Sequence, residues 1–173
     1  MGVVMMVPPF PETLQTSGLP HIDYADAFLM RLPAGRHYTL DQAVLLVLTA
    51  VPGWVKQLFS LRNLLMQPFG LKTGDHPPVR RPDTMLLPGA HLGVFRVFER
   101  RADELLLGED DRHLDFRLSL RLREDNAQQW AIVTTIVHFH NRWGRTYFVV
   151  VEPFHRLIVL ALMRGARRRA AAA

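Results

Sequence analysis

Residues 114–123, LDFRLSLRLR, set Leu114, Phe116, Leu118, Leu120 and Leu122 in strict alternation with Asp115, Ser119 and the arginines Arg117, Arg121 and Arg123. Successive side chains of a strand point to opposite faces, so this period of two gathers every apolar group on one side of a sheet. The charged side is expected to be the solvent face of an antiparallel sheet. Other segments repeat the strand signal. Residues 23–32 (DYADAFLMRL) stop at Pro33 and predict a first strand, and residues 91–100 with 102–109 predict a hairpin turning near 101–103. After a turn around 124–127, QQWAIVTTIVHFHN is rich in β-branched and aromatic residues and predicts another long strand.

Helical patterns fall between and after the strands. Thr39 and Gln42 form a capping-box pattern ahead of LDQAVLLVLTAV, which is apolar on nearly every face and therefore requires burial on several sides. A second helix is expected over 54–67, closed by Pro68 and Gly70. Residues 71–90 carry four prolines and predict a long irregular stretch, either a lid or a plain surface excursion. The last helix is expected over 142–166. Within it Trp143, Tyr147, Val150, Phe154, Leu157 and Ala161 recur at spacings of four and three, and Pro153, lacking an amide hydrogen, should kink it. Asn141 is a candidate cap, Gly144 a point of close packing, and Glu152 with Arg156 a surface pair at i, i+4.

The order strand, two helices, antiparallel strands, long closing helix predicts an α+β helix-grip fold, in which a curved sheet wraps the last helix and a cavity remains between them. At 173 residues the chain suits one domain, which buries about 70% of the surface its unfolded chain exposes. The expected division is an irregular arm over 1–20, one helix-grip domain over 21–166, and a basic disordered tail over 167–173.

Charge changes this picture little. Of the formal net charge of +5, Arg164, Arg167, Arg168 and Arg169 supply +4, leaving 17 basic and 16 acidic side chains elsewhere. A nearly neutral body is not a nucleic-acid footprint. Cysteine is absent, which excludes disulfides and thiolate chemistry and fits a cytoplasmic protein. The N-terminus lacks a signal-peptide pattern, and Met6 stands where N-myristoylation wants Ser or Thr after Gly2. Glu152, Pro153, His155 and Arg156 sit mid-way along the last helix, so no transmembrane segment is expected; a peripheral, amphipathic contact with lipid stays open.

Three segments, DYADAFLMRLP, LLLGEDDRHLDFRLSL and HFHNRWGRTYFVVVEPFHRLIV, resemble an uncharacterised bacterial domain-of-unknown-function family over residues 23–163. That family is often fused behind a short-chain-dehydrogenase-like (NmrA-like), nicotinamide-binding domain and is similar to the START and polyketide-cyclase (SRPBCC) helix-grip superfamily. The resemblance implies a ligand cavity without an agreed substrate, and no catalytic residues to carry over. No dinucleotide-binding partner domain is present in this chain, so an oxidoreductase role would need a separate dehydrogenase-like protein.

Motifs of the common enzyme classes, GxGxxG, the phosphate loop, GxSxG and HExxH, are absent, and no cofactor is expected. The expected function is binding of an apolar or amphipathic small molecule, with Phe116, Leu118 and Leu120 from the sheet and Tyr147, Phe154 and Leu157 from the helix lining the pocket. The alternatives are a cyclase- or dehydratase-like enzyme with His138 or His140 as a cavity base, and an accessory module of a separate oxidoreductase. A metal alternative would use His113, His138 and His140. His138 and His140 share one strand face, and the hairpin register decides which. Paired positions summing to 251 set His113 opposite His138 and Asp111 opposite His140 on the outer face; a sum of 252 turns His138 and His140 inward.

Overall fold

Asn126 and Ala127 adopt positive φ, 49° and 61°, the pair of left-handed residues that a two-residue type I′ hairpin needs. They join β6 (Leu114–Asp125) to β7 (Gln128–Phe139), each twelve residues long, and pair Asp125 with Gln128 through to Leu114 with Phe139. The paired positions sum to 253 along the whole ladder.

The computed structural model describes residues 4–55, 57, 85–93 and 95–172. Among these, β6 and β7 form the middle of a seven-stranded antiparallel sheet. β7 pairs with β2 (Tyr24–Arg31), and β2 pairs with β1 (Val4–Val7) at one edge. On the other side β6 pairs with β5 (Glu104–Asp110), followed by β4 (Phe95–Arg100) and the short β3 (His91–Leu92). A register shift between Val97 and Glu99 marks a bulge that bends β4.

Among the described residues two long helices cover one face. Helix α2 (Leu40–Leu48) follows a short α1 (Pro11–Gln15) and opens on the expected capping box, with Thr39 Oγ1 accepting from the Gln42 amide and Gln42 Oε1 accepting from the Thr39 amide. Its apolar circumference is buried against the sheet and against α3 (Arg142–Ala172). The core between these layers is built from Phe28, Met30, Leu118, Leu120, Val133 and Met163 among others. This is the α+β helix-grip arrangement. Of the expected helix over 54–67, residues 54, 55 and 57 are helical, together with residue 53, and the remainder, like residues 71–84 of the expected irregular stretch, lies outside the described residues.

The chain termini depart from expectation. The first twenty residues, read as an irregular arm, hold β1 and α1, and α1 buries Thr13 over the face of the sheet that the long helices leave uncovered. Consequently the charged side of β6 is not simply wet. Glu104, 1% exposed, accepts from Arg101 at 2.7 Å, from Arg121 at 2.9 Å and from the Ser119 hydroxyl. Burial would raise the Glu104 carboxyl, but Ser119 and the two guanidinium groups hold it below the usual carboxylate range. Glu12 of α1 then pairs Arg121 and Arg123 from above. At the other end the tail read as disordered continues α3 as far as Ala172, and buried Ala166 and Ala170 pack where Tyr38 donates to the Ala170 carbonyl.

Asn141 caps α3, its side-chain oxygen accepting from the Gly144 amide at 3.0 Å. Gly144 lies so close to the His113 carbonyl that a β-carbon would collide with it. We therefore expect Gly144→Ala to lower unfolding free energy by about 1–3 kcal/mol, read as a lower denaturant midpoint at unchanged slope.

Candidate functional site

The register sum of 253 is odd, like the 251 alternative, and so places His138 and His140 on the face opposite the long helices. Their partners differ from either expectation: Asp115 lies opposite His138, and His113 falls beyond the ladder. His138 Nδ1 stands 3.1 Å from Asp23, whose carboxylate also accepts from the Phe139 amide at 2.8 Å. His140 Nε2 stands 2.8 Å from Asp115. The hydrogen bond from His140 to Asp115 outweighs the effect of burial and raises the imidazole above its ordinary 6.5. His113 meets Asn141 instead, and among the described residues no three metal ligands converge. The outer histidines are thus each held against a different carboxylate, His138 against Asp23 and His140 against Asp115.

The expected pocket residues scatter. Leu118 and Leu120 are sealed in the core, and Phe116 packs edge-on against Phe95 with ring centres 6.0 Å apart. Phe154 and Leu157 are 48% and 58% exposed, and Tyr147 is half-buried. The helix face turned inward is another one, Gly144, Phe148, Val159, Met163, Ala166 and Ala170. Among the described residues the two expected sets do not come together, because Phe154 and Leu157 on the stripe chosen on α3 point away from the sheet.

A polar group does lie between sheet and helix, built from Tyr24, Asp26, His155 and Arg156. Phe28 and Met30 of β2 face inward, and by the same parity so do Tyr24 and Asp26. Asp26 is 4% exposed. Its carboxylate accepts from the Tyr24 hydroxyl at 2.6 Å, and His155 Nε2 stands 3.3 Å from one oxygen and 3.5 Å from the other. Arg156 Nε donates to the Tyr24 oxygen at 3.3 Å, and Arg156 pairs Glu152 at 2.6 Å, the expected surface pair. The Tyr24 ring is held by Phe148 at 4.6 Å between centres.

Burial opposes the hydrogen bonds at Asp26 and reinforces the bond to Asp26 at Tyr24. Desolvation would raise Asp26, yet the bonds from His155 and Tyr24 hold it below the ordinary carboxylate range. Desolvation and the bond to Asp26 both push the Tyr24 phenol up, so it remains a protonated donor at neutral pH. Next to this group runs an open groove of about 380 Å³, lined by Met6, Val7, Pro8, Pro9, Ala25, Asp26 and Arg156. It exists because β1 pairs β2 only as far as Ala27, leaving Tyr24 to Asp26 without a strand partner on that side among the described residues. Sequence reasoning noted His155 but passed over Asp26. The readable signal was an acid on the apolar parity of the first strand.

Two pH responses follow. Asp26, lowered in the fold, stabilises the protein above the ordinary carboxylate pKa, and that contribution disappears as pH falls through its folded value. Acid titration of stability should accordingly be flatter below about pH 4 in Asp26→Asn than in the parent. His140, raised in the fold, contributes stability that is complete below pH 6.5 and lost as pH rises through its folded value. NMR titration should find its imidazole pKa above 6.5, returning toward 6.5 in Asp115→Asn.

No curated protein matches the chain. Among solved structures, the crystal structure of CalU16 from Micromonospora echinospora is similar at 12% identity, over 99% of this chain and 94% of that one, with a TM-score of 0.30. A likeness of that size carries no functional weight. A family model described as "Protein of unknown function (DUF2867)" matches residues 19–162, from the approach to β2 through most of α3. The chain belongs to this family of unknown function, whose matched region contains Tyr24, Asp26, His155 and Arg156.

Proposed function

We propose that the protein binds an amphipathic small molecule in the groove between the free edge of β2 and helix α3. The observation that carries this reading is the Asp26 carboxylate, almost wholly buried yet lining an open groove with Arg156. A buried charge needs partners, and Asp26 has an aromatic hydroxyl and an imidazole fixed on it. Beside these polar groups the wall formed by Met6, Val7, Pro8 and Pro9 is apolar. One side of the groove therefore suits an apolar chain or ring, and the other suits a hydroxyl or carboxylate that Arg156 can hold. Apolar burial contributes about 25 cal/mol per Å², with the polar contacts fixing orientation.

The dyad supports a second reading, of acid–base catalysis on the bound molecule. There Asp26, which lines the groove, is the group that meets the bound molecule and His155 stands behind it, in place of the roles expected for His138 and His140.

Native mass spectrometry of freshly purified protein, set against the same sample denatured, tests the binding reading. A co-purified mass of a few hundred daltons, lost in Arg156→Gln and in Met6→Glu, is the expected result. Bare protein that also retains nothing from a lipid or metabolite extract, or equal retention by both variants, refutes it. For the catalytic reading, His155→Asn should keep the bound mass but leave it chemically unchanged over time.

A further inference from the structure

We infer that the outward face of α3 docks on the surface of an anionic lipid bilayer, with the helix lying in the interface. Trp143 is 72% exposed, and Val149, Val150, Phe154 and Leu157 are exposed along the same helix. These five make up half of the large apolar side chains exposed among the described residues. At 100° per residue Trp143, Val150, Phe154 and Leu157 fall on one stripe, opposite the buried line of Phe148, Val159 and Met163. A soluble helix normally sets polar groups there.

Charge identifies the partner. Helix α3 carries seven arginines and one acid, Glu152. Arg142, Arg164 and Arg168 are exposed and have no ion pair among the described residues, whereas Arg145 and Arg156 are paired to Asp23 and Glu152. An apolar stripe with an exposed tryptophan at one end and unpaired arginines beside it is complementary to a sheet of acyl chains under anionic headgroups. A second copy of the chain would bring the same arginines together and repel. Helix α3 is long and apolar enough to cross a membrane by length and composition. Crossing would require stripping Phe148, Val159 and Met163 from the sheet and α2, so the helix lies on the surface and keeps its fold.

This inference is independent of the groove reading, and its test uses no groove residue. Purified full-length protein is mixed with vesicles of phosphatidylcholine alone or with phosphatidylglycerol added, and bound protein is measured by co-sedimentation. The expected result is binding to the anionic vesicles only, weakened by salt, with bromine-labelled acyl chains quenching tryptophan fluorescence in the parent and much less in Trp143→Ser. Replacing Arg142, Arg164 and Arg168 together by Gln should weaken binding by about tenfold or more, and Phe154→Glu with Leu157→Glu should abolish it. Because all these side chains are exposed, circular dichroism should show each variant folded. Failure to sediment with anionic vesicles overturns the inference, as does equal binding of the Phe154→Glu, Leu157→Glu variant. A dimer in solution that those two substitutions dissociate, without vesicle binding, assigns the face to a second copy instead.

Discussion

The structure depends on the register that Asn126 and Ala127 impose on β6 and β7. A two-residue turn leaves no slack: with Asp125 opposite Gln128, every pair down to Leu114 and Phe139 is determined. That parity sends Leu118, Leu120, Ala131 and Val133 to the helices, and Arg117, Ser119, Arg121 and His138 to the other face. A slip of one residue would bury three arginines under α2 and α3. The apolar alternation of β6 forbids it as firmly as the turn does, and the two constraints agree.

Both faces nonetheless hold buried charge, and the two cases differ. On the outer face Glu104 is enclosed by Ser119, Arg121 and Arg101, and α1 closes over that side of the sheet with Glu12. A pair of this kind contributes little net stability, since desolvation offsets attraction, but it ties the N-terminal arm to the sheet. On the inner face Asp26 is held by Tyr24 and His155 and also lines an open groove. Structural polarity tends to be sealed by its own chain. Polarity left facing a groove is where a ligand can supply the remaining partner.

Helix α3 explains why its orientation was misread. It has two apolar stripes. One runs through Trp143, Tyr147, Val150, Phe154 and Leu157, and the other through Gly144, Phe148, Val159, Met163 and Ala166. The larger residues lie on the first, so hydrophobicity alone favours it as the buried side. Close approach reverses that choice: Gly144 meets the His113 carbonyl, a contact that a β-carbon would forbid. Size complementarity to a neighbour is a property of two surfaces, and periodicity describes one.

The sequence by itself determined the elements and their order, because capping at Thr39 and Asn141, strand alternation and the break at Pro33 are local effects acting within a few residues. It also narrowed the hairpin to two parities. Tertiary structure alone decided the rest. It set the turn at Asn126 and Ala127, turned the larger stripe of α3 outward, ordered the N-terminal segment on the sheet and the end of α3 against Tyr38 and Thr49, and brought Asp26 to His155 across 129 residues of chain. Each of these outcomes rests on contact between distant segments, whose free energy is not carried by either segment separately.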